Sequence, residues 1–156
     1  MVKNRKILIV DDDRLTLELM SRTLSRAGYE VIFAEDGAAA LEMAANENPD
    51  LVLTDGLLPK MHGFLVCESI KKFDNPPKVV IITGVYTKPT YKWEVKKEHG
   101  ADDVLTKPVT PARLLEIVEN QLADLPPDQI ENEGVNAMDF AVLTLPATKV
   151  GGFSVG

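Results

Sequence analysis

Short runs of apolar, largely β-branched residues recur through the first two thirds of this chain, and that rhythm constrains its fold more than any single motif. The runs are Ile7 to Val10, Val31 to Ala34, Leu51 to Thr54, Val79 to Thr83 and a weaker Val104 to Leu105. They have strand length and are nearly continuous rather than alternating, the pattern of parallel strands covered on both faces. The stretches between them carry helical spacing. Leu17, Met20, Leu24 and Ala27 make one apolar stripe, stopped by Gly28; Ala38, Leu41 and Ala45 make a second after Asp36-Gly37. Phe64, Cys67 and Ile70 make a third, ended by Pro76-Pro77. A fourth helix is predicted from Thr87 to His99, with Pro89 in its first turn and Gly100 just past its end. Thr110-Pro111 reads as the N-cap and first residue of a fifth, with the stripe Pro111, Leu115, Val118 and Leu122. Five strand-then-helix repeats predict an α/β fold: a doubly wound five-stranded parallel sheet with helices on both faces and right-handed crossovers.

After Ala123 the character changes. Leu125-Pro126-Pro127 breaks the last helix, and the rest is acidic (Asp128, Glu131, Glu133, Asp139) with a Gly-containing end. The chain therefore divides into one domain over 1–123 and a tail or linker over 124–156, whose apolar run Phe140 to Leu145 could add a strand to an exposed sheet edge. A total of 156 residues leaves no room for a two-domain enzyme. With 17 Lys+Arg against 24 Asp+Glu, the net charge of -7 argues against attraction to nucleic acid or membrane, and no basic recognition helix is visible. A single cysteine, Cys67, excludes an intramolecular disulfide and suits a reducing compartment. No apolar run reaches membrane-spanning or signal-peptide length, so a cytoplasmic location is expected.

The polar residues gather where the strands end. Asp11-Asp12-Asp13 closes the first, Asp55 follows the third, Thr83 ends the fourth and Lys107 follows the fifth. Ligands of open parallel sheets bind at that carboxyl edge, and in the strand order 2-1-3-4-5 the first and third strands are neighbours. Asp11, Asp12 and Asp55 should then converge, with Thr83 and Lys107 beside them. Carboxylates 4 to 6 Å apart repel one another by roughly a few kcal/mol per pair, so the group calls for a cation, and all-oxygen ligation suits Mg²⁺ or Mn²⁺. A carboxylate beside a divalent ion, a hydroxyl and an ammonium is suited to phosphoryl transfer, with Asp55 as nucleophile.

Val10-Asp11-Asp12, then Asp55 with Pro59 and Gly63 beyond it, then Thr83-Gly84, then Gly100-Ala101-Asp102-Asp103 leading into Lys107-Pro108, together resemble the receiver domain of two-component response regulators, a CheY-like, flavodoxin-like fold. The resemblance spans residues 5 to 123. It implies that Asp55 is the phosphoacceptor, that Asp11, Asp12, Asp55 and the backbone carbonyl of Leu57 hold Mg²⁺, that Thr83 and Lys107 contact the phosphoryl group, and that the Lys107-Pro108 peptide is cis. It further implies a sensor histidine kinase or phosphotransfer protein as donor, an unnamed downstream protein target, and a readout surface on the fourth helix, fifth strand and fifth helix. A homodimer through that surface or the tail is left open. Such a chain catalyses its own phosphorylation and dephosphorylation without being a metabolic enzyme.

Some positions depart from that pattern. The family usually places a Tyr or Phe three residues before the Lys, following Thr83 inward on phosphorylation; here Val104 stands there. Leu57 and Val85, two residues after Asp55 and Thr83, are apolar, so neither orients a hydrolytic water, and slow autodephosphorylation is expected. The segment with Tyr86, Lys88, Tyr91, Lys92, Trp93, Lys96 and Lys97 is aromatic and basic, a docking face or a solvated helix face in equal measure. His62, His99, Cys67, Asp13 and Asp102-Asp103 have ordinary roles in helix ends, core and turns. Two other functions compete: a phosphorylation-independent binding module, and a haloacid-dehalogenase-like phosphatase. The phosphatase pattern, D-x-D followed after one residue by Thr or Val, meets Leu15 here and leaves Asp55 unexplained.

Overall fold

The computed structural model describes residues 4–84 and 91–123. The elements alternate: β1 (Lys6–Val10), α1 (Arg14–Arg26), β2 (Glu30–Ala34), α2 (Gly37–Glu47), β3 (Leu51–Asp55), α3 (Gly63–Ile70), β4 (Lys78–Thr83), α4 (Tyr91–His99), β5 (Asp103–Thr106) and α5 (Pro111–Ala123). All strand pairs are parallel and the order is β2-β1-β3-β4-β5, as the sequence predicts. The tail over 124–156, with its run Phe140 to Leu145, and the segment holding Val85, Tyr86, Lys88 and Pro89 lie outside the described residues.

Successive side chains of a strand point to opposite faces, and β1 shows the consequence. Ile7 and Ile9 join Leu17 and Leu24 of α1 and Leu114, Ile117, Val118 and Leu122 of α5 in one core. Leu8 and Val10 join Ala40 and Ala44 of α2, Val66, Cys67 and Ile70 of α3 and Val95 of α4 in the other. Truncating a side chain as enclosed as Leu24 or Ile70 typically costs about 2–5 kcal/mol.

Helix ends follow local chemistry. The Asp13 carboxylate caps α1 by accepting from the Thr16 amide at 3.2 Å, and Asp36 caps α2 by accepting from the Ala39 amide at 2.8 Å. Hydrogen bonds from Thr16 hold the Asp13 carboxyl below its ordinary range, and the Ala39 amide does the same for Asp36. Gly28, at φ 101°, turns the chain out of α1, a conformation that suits glycine.

Several local expectations are corrected. β2 lies at the sheet edge and is not covered on both faces: only Ala34 is buried, and Phe33 is 50% exposed. The inward face of α2 is Gly37, Ala40 and Ala44, one residue out of step with Ala38, Leu41 and Ala45; a helix so rich in alanine has no strong polar face to orient it. In α5 the buried residues are Leu114, Ile117, Val118 and Leu122, while Pro111 is exposed at the helix start. α3 stops at Ile70, short of Pro76-Pro77: past the Lys71 C-cap the bonds tighten to i→i−3, from the Lys72 amide to the Ser69 carbonyl at 3.2 Å and from the Phe73 amide to the Ile70 carbonyl at 3.0 Å. Asp102 is more than a turn residue: it accepts from Lys71 Nζ and the Val79 amide, both at 2.8 Å, tying the end of α3 to β4 and β5.

Cys67 is buried on α3, as its place on the stripe predicts, and its thiol donates to the His99 carbonyl at 3.3 Å. Burial pushes that thiol up to about 12. At pH 8 its thiolate fraction is then lower than that of an ordinary cysteine by roughly three orders of magnitude. We expect native Cys67 to resist a thiol-specific disulfide reagent until the protein unfolds; rapid native labelling would contradict this burial. Because the folded value is raised, the neutral thiol's contribution is complete below the ordinary cysteine range and lost as pH rises towards 12, so stability should fall on the alkaline side.

Candidate functional site

Parallel strands place their carboxyl ends along one edge, and four of the five strands deliver a polar residue there. Asp11 follows β1, its amide donating to the Ala34 carbonyl at 3.2 Å, and is 3% exposed. Asp55 ends β3 and Thr83 ends β4, where Thr83 is fully buried. Lys107 follows β5, its amide donating to the Thr83 carbonyl at 3.0 Å, and the Lys107-Pro108 peptide is cis as expected. Register aligns Val10 with Thr54 and Asp55 with Ile82, which brings the chain just after β1 beside the end of β3.

The carboxylates do converge. One oxygen from each of Asp11, Asp12 and Asp55 lies within 4.8 Å of the others. Lys107 Nζ donates to Asp55 Oδ2 at 3.1 Å and to Asp11 Oδ2 at 3.3 Å. The Leu57 amide donates to Asp55 Oδ1 at 3.2 Å, and the Asp13 amide to Asp11 Oδ1 at 2.9 Å. Burial raises the Asp11 carboxyl above its ordinary value; the Asp13 amide and Lys107 oppose that, and the Asp55 charge adds to it. Burial alone would depress the Lys107 ammonium, but the hydrogen bond to Asp55 and the charges of Asp11 and Asp55 outweigh it and hold Lys107 above an ordinary lysine.

Two full charges 4.8 Å apart repel by about 3–4 kcal/mol at an effective dielectric near 20. One ammonium among three carboxylates offsets part of that, and the remaining negative charge, carried by oxygen donors, fits a hard divalent cation. Among the described residues this acidic cluster could hold a metal ion. Asp13, which a D-x-D phosphatase would require in its site, is spent as the α1 N-cap. The cluster found among the described residues includes neither His62, which precedes α3 without a side-chain capping bond, nor His99, at the end of α4.

The loop between β3 and α3 frames Asp55 through contacts the sequence did not disclose. The Gly56 amide donates to the Ile82 carbonyl at 3.3 Å and the Gly63 amide to the Gly56 carbonyl at 3.0 Å. A side chain at Gly63 would sit 1.8 Å from the Asp55 carbonyl oxygen, and one at Gly37 2.0 Å from the Met61 carbonyl oxygen. Lys60, at φ 68°, reaches Asp36 at 3.4 Å and ties the loop to the start of α2. Gly63 was visible in the motif, but its clash partner lies in the strand before it, and no spacing rule reveals that.

The family model for the response regulator receiver domain matches residues 7–119. The chain belongs to that family. Receiver domains of this kind serve two-component signalling systems, interact with histidine kinases or phosphotransfer proteins, and are not enzymes in the usual sense. Among curated relatives, the alkaline phosphatase synthesis transcriptional regulatory protein PhoP of Bacillus subtilis is 34% identical over 134 residues, 83% of this chain and 55% of its own length. Response regulator MprA of Mycobacterium leprae is 36% identical over 145 residues, 92% of this chain and 62% of its own. The chain thus spans little more than half the length of these relatives. A putative response regulator from Chloroflexus aurantiacus superposes with a TM-score of 0.71 at 33% identity, covering 78% of this chain and 99% of that one. The chemotaxis response regulator CheY4 of Vibrio cholerae gives 0.71 at 31% identity, over 77% and 100%. No helix among the described residues of this receiver domain is long and apolar enough to cross a membrane.

Proposed function

We propose that Asp55 is the phosphoacceptor of this receiver domain, taking a phosphoryl group from a phosphohistidine on a sensor kinase or phosphotransfer protein. The observation that carries this reading is the Lys107 ammonium bridging Asp55 and Asp11 in a cluster of three carboxylates at the sheet's carboxyl edge. In the transfer an Asp55 carboxylate oxygen attacks phosphorus, the P–N bond to the donor imidazole breaks, and an acyl phosphate forms. Lys107 can follow the phosphoryl oxygens off the carboxylate, and Thr83, at the end of β4, would offer its hydroxyl to them. The Leu57 amide orients Asp55 through Oδ1, leaving Oδ2 on the lysine side.

Asp11, Asp12 and Asp55, with the Leu57 carbonyl, would hold Mg²⁺, Mn²⁺ being an alternative with the same donor preference. Bound there, the cation supplies charge neutralisation for the phosphoryl oxygens. Residues 1–123 form the receiver domain and 124–156 a tail or linker, and the protein works in the cytoplasm through protein contacts. The chain itself catalyses formation and hydrolysis of the acyl phosphate, and hydrolysis is slow because the Leu57 side chain, 49% exposed, offers no polar atom to an attacking water.

Intact-mass measurement after incubation with a small acyl-phosphate donor tests the reading. We expect one phosphoryl adduct that requires Mg²⁺ and is absent from Asp55→Asn. An adduct that survives Asp55→Asn would place the acceptor elsewhere.

A further inference from the structure

The last residue of α4 is seated in a socket on α3 that reaches the phosphoacceptor loop. Three α3 residues on one helical face, Phe64, Cys67 and Glu68, all engage His99. His99 Nδ1 pairs with Glu68 Oε2, the Cys67 thiol donates to the His99 carbonyl at 3.3 Å, and the imidazole lies 5.1 Å from the Phe64 ring, tilted by 43°. The Phe64 ring also covers Gly56: its Cε2 and Cζ lie 3.0 Å from where a side chain at Gly56 would begin, and Thr83 Cβ lies 3.5 Å from the same point. Gly56 directly follows Asp55. Phe64 is therefore wedged between the acceptor loop and the end of α4, while Val104 of β5 is a small, buried side chain.

We propose that Phe64 and His99 are positioning residues that couple the state of Asp55 to α4, in place of a moving aromatic on β5. The inference rests on Asp55 being the phosphoacceptor. A phosphoryl group on Asp55 draws Lys107 and Thr83 towards it and changes the space around Gly56. In an interior packed without voids, the ring that fills that space moves with it. His99 packs against that ring and is held by Glu68, so the displacement reaches the C-terminal end of α4, and the population of α4 conformations shifts.

Hydrogen exchange of residues 93–99, read with and without the acyl-phosphate donor and Mg²⁺, tests the coupling. Trp93, the only tryptophan, lies 62% exposed on α4 with Lys97 Nζ 4.8 Å from its ring centroid, and its fluorescence is a second readout. Phe64→Leu and His99→Gln are compared with the wild type and with Leu65→Ala, an exposed control on the same helix, each checked for folding by thermal melting. We expect every variant still to form the adduct, and, compared at equal adduct occupancy, the exchange response of α4 to fall by about fivefold or more in Phe64→Leu and His99→Gln but not in Leu65→Ala. An adduct with an undiminished α4 response in both socket variants overturns the coupling, as does a wild-type adduct with no α4 response. Failure of the wild type to form any adduct overturns instead the assignment of Asp55 on which the coupling rests.

Discussion

Gly63→Ala is expected to destabilise the protein by about 3 kcal/mol or more, because the added carbon would lie 1.8 Å from the Asp55 carbonyl oxygen and 2.8 Å from its carbon. The obstacle is backbone at the end of a central strand, not the tip of a side chain that can swing away. Relief requires α3 to withdraw or the β3 end to shift, and either breaks the Gly63 amide's bond to Gly56. Urea unfolding would register the loss, and a melting temperature lower by roughly 6–12 °C would accompany it in a chain of this size. Gly84→Ala is the matched comparison: its nearest neighbours, at 3.6 and 3.9 Å, are side-chain atoms of Lys107 at ordinary contact distance, and a cost of about 0.5 kcal/mol or less is expected. Equal stability of the two variants would contradict the close approach at Gly63. A further consequence is functional, since any shift of Asp55 relative to Lys107 should slow adduct formation in Gly63→Ala beyond what its lower stability explains.

Lys107→Ala should separate the two tasks of the cluster. Removing a charged donor aimed at developing charge typically slows a transfer step by roughly 10²–10³-fold, and adduct formation on Asp55 should fall by that order. Divalent-ion affinity, measured by calorimetry, should move the other way, because the ammonium that occupies Asp55 Oδ2 and Asp11 Oδ2 at 3.1 and 3.3 Å no longer competes. The sheet edge should survive, since the bond to the Thr83 carbonyl comes from the backbone amide of residue 107. The folded Lys107 ammonium is held above its ordinary value, so whatever it adds to stability is fully present below the ordinary lysine range and lost as pH rises through the folded value. The difference in stability between wild type and variant should therefore persist at neutral pH and shrink in strong alkali. An unchanged transfer rate would remove Lys107 from the chemistry.

The strands were legible because covered parallel strands need continuous apolar runs, and the five runs located them to within one residue of their observed ends. The face of α1 was legible because polar residues opposed it, and that of α2 was not. Leu17 and Leu24 in α1 stood out against Arg and Glu, whereas the alanines of α2 offered no contrast, and its buried face was misplaced by one position. The site residues were legible for a topological reason: a chain of strand-helix repeats puts every strand's last residue on one edge, so Asp11, Asp55, Thr83 and Lys107 could be gathered by position alone.

What the sequence by itself determined was therefore the architecture and which polar residues meet at the carboxyl edge, since periodicity and strand ends are properties of neighbouring residues. Only the tertiary structure decided how the site is held: Lys107 shared between Asp55 and Asp11, Gly63 against the Asp55 backbone, Lys60 on Asp36, and Phe64 between Gly56 and His99. These contacts join different elements, and their geometry follows from how closely two helices or a helix and a loop approach. Packing sets that distance, and no local pattern of residues encodes it.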